Sequence, residues 1–183
     1  FGRGTAYLDD PSFSRTILKK ILDNLYRLSF SLSTRVWFTN PNDVKYFVDE
    51  GVVDSKKVIL TRNYIDVEKY APRTLAPNKK QTLMAELSLS DSDKVVICVG
   101  RMIWSKGIKE FVEAANILAS DHSEIKFLLV GAEELTSPDA VPGEYLRSHS
   151  MSENFQWLGF RDDVLDLYAI SDLAVLASYY REG

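Results

Sequence analysis

Four short, almost purely apolar runs, VVICV (95–99), IKFLLV (125–130), FQWL (155–158) and LAVLA (173–177), alternate with segments whose apolar residues recur at helical spacing. That alternation leaves few folds open. A strand that is apolar on both sides must be covered on both faces, and intervening helices supply the cover, so the pattern predicts an α/β domain built on a parallel sheet. Helix 106–119 shows the cover most clearly, with Ile108, Phe111, Val112, Ala115 and Leu118 on one face. Further helices are expected at 80–89, near 143–150 and at 162–170.

The first third of the chain reads differently. Ile17, Leu18, Ile21, Leu22, Leu25, Leu28 and Leu32 recur at helical spacing over 15–33, with Lys19, Lys20, Asp23, Asn24 and Arg27 on the other face. RVWFT (35–39) and KVILT (57–61) are short strands. Between them Asn40 is placed to cap a helix with Pro41 in its first turn, running to about Gly51. The segment 62–80 holds two prolines, Asn/Asp turn residues and no long apolar run, as a connector does. The expected organisation is therefore one domain over 1–63, a connector over 64–80 and a second domain over 81–183.

Composition narrows the function. With a formal net charge of -4 the chain lacks the basic excess of a nucleic-acid binder. Its one cysteine, Cys98, excludes an internal disulfide and sits in an apolar run, as a buried hydrophobe rather than a reactive thiol. No apolar stretch is long enough to span a membrane and no signal peptide is visible, so a cytoplasmic location is the default. The chain starts at Phe1 without a methionine and stops soon after an apolar strand pattern, which reads as a fragment of a longer protein.

In an open parallel sheet, ligands bind outside the carboxyl ends of the strands. Those ends are Gly100-Arg101, Gly131, Gly159-Phe160-Arg161 and Ser178 onward. The most suggestive is VGRMIWSKGIKE, where an apolar run ends at Gly100, Arg101 follows, and Lys106-Gly107 opens a helix. Strand, cationic turn and helix N-terminus together suit a phosphate group. Neither cation has an acidic neighbour before Glu110, and Lys106 at the head of a helix opposes the dipole, which invites an anionic ligand. Spacing alone leaves open whether the two are simply solvated surface charges. Glu182, after the last strand, is either a solvent-facing loop residue or an acid that hydrogen-bonds sugar hydroxyls.

Other motifs carry less. Asp91-Ser92-Asp93 looks like a metal-nucleotide DxD but precedes a strand, at the edge opposite the phosphate turn. Asp162-Asp163 reads as negative charge at a helix N-terminus. His122 and His149 have no partners at metal-ligand spacing. Trp157 reads as core, and Gly2-Arg3-Gly4 follows no visible strand. The basic helix at 15–33 reads as an ordinary domain helix, with contact to anionic lipid as the other option.

Taken in order, VGRMIWSKGIKEFVEAA, FLLVG and FQWLGFRDDVLDLYAISDLAVLASYYREG closely resemble the donor half of the family 4 retaining glycosyltransferases. WFTNPNDVKYFVDEGVV and VILTRNYIDVEKYAP resemble the end of that family's first domain and its interdomain crossing, and FGRG followed by WFTNPND is similar to bacterial enzymes that build lipid-linked capsule, O-antigen and related glycans. The resemblance implies a GT-B fold, with two Rossmann-like parallel-sheet domains, both incomplete over these residues. It also implies transfer of a sugar from a nucleotide-sugar, taken as a UDP-sugar, to a glycan or polyprenyl-linked acceptor, with retention, no metal and no cofactor. The enzyme is then expected in the cytoplasm, with peripheral contact at the inner membrane surface. Another GT-B enzyme, such as a nucleotide-sugar epimerase, and a non-catalytic nucleotide-binding domain are the alternatives.

Residue by residue, Arg101 and Lys106 match the basic pair that grips the donor diphosphate, and Gly100 matches the glycine that opens the phosphate turn. Gly159, Phe160 and Arg161 match the turn along the nucleotide base. Glu182 matches the first glutamate of an E-x7-E signature, which contacts the donor sugar. By that resemblance the second glutamate of the signature would lie beyond Gly183, and the family's usual active-site histidine before Phe1. At the crossing, Tyr64-Ile65 stand where the family often has a glycine-containing turn. The 183-residue piece by itself is expected to be inactive.

Overall fold

The structure is a computed structural model that describes residues 13–61, 64–150 and 153–179. The chain divides into two compact units between Asp66 and Val67.

In the first unit, helix α1 (Phe13–Leu32), strand β1 (Val36–Phe38), helix α2 (Pro41–Asp49) and strand β2 (Val58–Leu60) follow in order. β1 and β2 pair in parallel, with Trp37 opposite Ile59. The expected cap is present: the Asn40 side chain accepts the Asn42 N–H at 2.8 Å, and Pro41 opens α2. Val36, Phe38, Phe47, Val52 and Val53 form the core, with Tyr26 and Phe30 of α1 packed on it. That packing corrects the expected face of α1. The helix turns Tyr26, Phe30 and the buried Asp23 inward, whereas Ile17, Leu18, Ile21, Leu25, Leu28 and Leu32 are exposed. Two aromatic rings stacked 5.4 Å apart, and meeting Phe47 edge-on, fill this small core better than a leucine stripe does. Asp23 is tolerated there because its carboxylate accepts from Lys19 at 2.9 Å and from the Tyr46 hydroxyl at 3.2 Å.

The second unit runs α3 (Pro77–Glu86), β3 (Lys94–Val99), α4 (Ile108–Ala119), β4 (Ile125–Val130), α5 (Gly143–His149), β5 (Phe155–Trp157), α6 (Val164–Ile170) and β6 (Leu173–Ala174). All its strands are parallel, in the order β5-β4-β3-β6. Alternate residues of each strand enter different cores. Val96, Cys98, Phe127, Leu129 and Phe155 pack with Ile108, Phe111, Val112 and Ala115 of α4 and Leu146 of α5. Val95, Ile97, Leu128 and Val130 pack with Leu83 of α3 and Leu167 of α6. The sheet is thus covered on both faces, as its continuous apolar runs require.

Most element ends shift by a residue or two, and three differences matter for the second unit. α3 begins at Pro77, so a proline-opened helix takes the end of the expected connector. β6 keeps only two residues, Leu173–Ala174, and among the described residues it pairs with β3 alone. α4 begins at Ile108, not at Lys106. Lys106 instead closes a 3-10 turn, Trp104–Lys106, and Gly107 separates turn from helix with φ of 72°.

Candidate functional site

Backbone hydrogen bonds join the carboxyl ends of β3, β4 and β5. The Gly100 N–H donates to the Val130 carbonyl at 2.9 Å, and the Gly131 N–H donates to the Gly159 carbonyl at 2.8 Å. Gly131 is required by this closeness, since a Cβ there would lie 1.9 Å from the Gly100 carbonyl oxygen. The indole N–H of Trp157 donates to the Gly131 carbonyl at 2.9 Å, so this tryptophan, expected in the core, is half-buried and braces the strand ends. Gly100, Gly131 and Gly159 therefore share one rim of the sheet.

Arg101 and Lys106 lie on the loop that leaves this rim. The Ile103 N–H donates to the Arg101 carbonyl at 2.8 Å, and the Lys106 N–H to the Ile103 carbonyl at 3.1 Å, which folds the loop tightly. The segment after β4 buttresses it. The Trp104 N–H donates to the Asp139 carbonyl at 2.9 Å, the Ser105 N–H to Asp139 Oδ2 at 3.1 Å, and the Val141 N–H to the Met102 carbonyl at 3.0 Å. The chain after β6 closes the other side, with the Tyr179 N–H donating to the Ser105 carbonyl at 3.3 Å. Directly beyond the loop α4 starts with Gly107 as its N-cap, which has no side chain to bond the first N–H groups; these groups lie at the positive end of the helix dipole. Lys106 itself is half-buried. Its charge partly offsets the effect of burial on the Cys98 thiol, which is pushed up to about 11 and is inert at neutral pH.

Two expectations about this loop are corrected. Lys106 lies not in the first turn of α4 but one residue before its N-cap, Gly107, where it closes the 3-10 turn; its charge still sits at the positive end of the α4 dipole. Arg101 does have an acidic neighbour. Its half-exposed guanidinium donates to Glu134 Oε2 at 2.8 Å. The hydrogen bond from Arg101, with further ones from Thr136, holds the Glu134 carboxyl down at about 2. The stability this pair contributes is complete above the ordinary carboxylate range and is lost as pH falls towards that value.

The β5 turn divides its roles. Phe160 is 77% exposed, whereas the Arg161 side chain is largely covered. Arg161 donates from Nε to Asp163 Oδ1 at 2.8 Å, from Nη2 to Asp163 Oδ2 at 2.6 Å, and from Nη1 to Glu86. These bonds raise the guanidinium's pKa further and lower that of Asp163. Asp163, expected to serve the helix N-terminus, has no side-chain bond to it; the facing guanidinium is the stronger donor. Asp166, one turn into α6, was not singled out by the sequence. It is buried and pairs with Lys79 of α3 at 2.6 Å and Arg73 at 3.6 Å. A cavity of about 260 Å³ lies beside this network, lined by Asn78, Lys79, Thr82, Leu83, Glu86, Asp163 and Asp166.

Asp91 and Asp93 immediately precede β3, at the opposite edge of the sheet, and Asp93 accepts the Ser90 N–H at 2.6 Å. Among the described residues no group of three His, Cys, Asp or Glu is placed to hold a metal ion, and no helix is long and apolar enough to cross a membrane. Glu182 and Gly2-Arg3-Gly4 lie outside the described residues.

Residues 79–183 match the family described as "Glycosyl transferases group 1". The whole chain is 29% identical to 46% of the N,N'-diacetylbacillosaminyl-diphospho-undecaprenol alpha-1,3-N-acetylgalactosaminyltransferase of Campylobacter jejuni. Over 92% of its length it is 27% identical to 43% of the UDP-Gal:alpha-D-GlcNAc-diphosphoundecaprenol alpha-1,3-galactosyltransferase of Escherichia coli. Among solved structures, HepE of Anabaena in complex with UDP superposes with a TM-score of 0.67 at 21% identity, over 87% of this chain and 43% of that one. The chain spans less than half the length of these relatives.

Proposed function

The chain belongs to the group 1 glycosyl transferases, and on that footing we propose that its protein moves a hexose from a nucleotide-sugar to a lipid-linked glycan acceptor in bacterial surface polysaccharide synthesis. The architecture is α/β of GT-B type, of which the chain covers a part. The finer reading is a UDP-sugar donor, a polyprenyl-linked acceptor, retention of anomeric configuration and no metal. It places the enzyme in the cytoplasm, with peripheral contact at the membrane face that presents the acceptor. The named activities of the two bacterial relatives support the acceptor class, and UDP in the Anabaena neighbour supports the nucleotide.

One observation carries the reading: Arg101 and Lys106 occupy a single buttressed loop between the carboxyl end of β3 and the glycine-capped N-terminus of α4. When the glycosidic bond to a diphosphate breaks, negative charge grows on the leaving oxygen while the sugar becomes oxocarbenium-like. Fixed cations and aligned N–H groups stabilise that charge more in the transition state than in the ground state, and they do so without a metal. Gly100 lets the backbone stay close to the phosphates. Gly159 and the exposed Phe160 flank the nucleotide base, and Arg161, locked by Asp163 and Glu86, holds that turn in shape. Glu182 is assigned to the sugar hydroxyls.

The test uses the full-length enzyme. Arg101→Ala and Lys106→Ala are each expected to lower kcat/KM by about 100- to 1000-fold in protein that still unfolds cooperatively, and Glu182→Ala to alter selectivity among donor sugars. Near-normal turnover in both cation variants refutes the assignment. Product analysis separates transfer, which yields a new glycoside, from epimerisation, which yields a free sugar or altered nucleotide-sugar. Nucleotide binding without turnover marks a non-catalytic domain.

A further inference from the structure

Glu134 is not accounted for by the reading above. It sits on the loop after β4, and both of its oxygens are engaged. Oε1 accepts from the Thr136 backbone N–H at 3.1 Å and from the Thr136 hydroxyl at 2.8 Å, while Oε2 faces Arg101 at 2.8 Å. The carboxylate is thus fixed by its own loop, two residues away, before Arg101 is considered. Arg101, by contrast, is a long side chain, half exposed, at the rim of the sheet. A guanidinium has five N–H donors, and its contact with Glu134 runs through Nη2.

We infer that Glu134 is a positioning residue: anchored by Thr136, it holds the Arg101 guanidinium in the orientation that receives the donor diphosphate. This rests on the phosphate-binding role proposed for Arg101. An unrestrained arginine loses rotamer freedom when it grips an anion, and a fixed acceptor removes much of that cost beforehand. The opposing effect is electrostatic, since a carboxylate beside Arg101 repels a diphosphate. The two effects differ in sign, so binding measurements separate them.

The experiment titrates UDP and GDP into full-length protein and four variants by calorimetry, with thermal unfolding followed in parallel. Glu134→Ala is expected to weaken binding of the preferred nucleotide about three- to tenfold, the range for freeing one ordered side chain. Glu134→Gln has a single acceptor oxygen, which can serve Arg101 or the Thr136 N–H but not both, so it is expected to bind between wild type and Glu134→Ala. Adding Glu134→Ala to Arg101→Ala is expected to cause no further loss, because Glu134 acts through Arg101. Unchanged or tighter binding by Glu134→Ala, with Arg101→Ala impaired, overturns the positioning role alone. An Arg101→Ala protein that binds like wild type, or a wild type that binds neither nucleotide, overturns the phosphate site and this inference with it. A loss in Glu134→Ala that persists at full size in the Arg101→Ala background also overturns it, since the effect then bypasses the guanidinium.

Discussion

Gly107 shows how one backbone position sets the geometry of the cationic turn. Its φ of 72° lies in the left-handed region, and a Cβ there would sit 2.2 Å from the Ala177 carbonyl oxygen. The left-handed conformation costs a non-glycine residue about 1–2 kcal/mol, and forcing a methyl against backbone adds about 1–3 kcal/mol. Gly107→Ala is therefore expected to lower stability by about 2–5 kcal/mol, read as a fall in the urea midpoint at constant slope. A midpoint within error of wild type contradicts the close approach to Ala177. The sequence placed this glycine correctly beside a basic residue, yet its role as a break between turn and helix was hidden. Local patterns were legible where the interacting atoms are close in sequence, as with Asn40 and Pro41, which cap α2 as expected. The Arg101–Glu134 pair, 33 residues apart, needed the sheet to bring two strand ends together.

Elements are joined in the second unit by a network that no periodicity reports. Asp166 of α6 is buried, while its partners Lys79 of α3 and Arg73 keep about half of their side chains in solvent. Removing either side of such a pair is not equivalent. Lys79→Met leaves a buried carboxylate with Arg73 at 3.6 Å, and losing such a partner costs about 1–3 kcal/mol. Replacing both partners by apolar groups of similar shape is nearly neutral, so the double variant Lys79→Met/Asp166→Leu is expected to recover most of that loss in urea unfolding. Equal or additive losses would mean that Asp166 is not held by this pair. Strand and helix existence in this unit was legible because each element carries its own apolar period. In the first unit the face of α1 was less legible: the helix has a leucine stripe, but among the described residues Tyr26 and Phe30 are the ones packed on the core. Element ends were also obscured, since β6 stops where its pairing with β3 stops.

At the scale of the whole molecule, the rim carrying Gly100, Arg101, Lys106, Gly131 and Gly159 belongs entirely to the second unit. On the reading proposed above, diphosphate recognition is therefore a property of one unit, whereas sugar transfer requires an acceptor that this rim does not itself define. That separation makes nucleotide binding the cleaner probe. A charge-assisted hydrogen bond contributes about 1.5–3 kcal/mol, so removing the terminal phosphate while keeping the base is expected to weaken binding by roughly 10- to 100-fold. In full-length protein UDP should therefore bind well above UMP, and uridine more weakly still. The UDP advantage should shrink as salt rises, because a half-exposed guanidinium is screened. In Arg101→Ala the gap between UDP and UMP should narrow, while affinity for uridine stays unchanged. If UDP, UMP and uridine bind alike, the base supplies the affinity, and the cationic turn is surface charge, not a phosphate site.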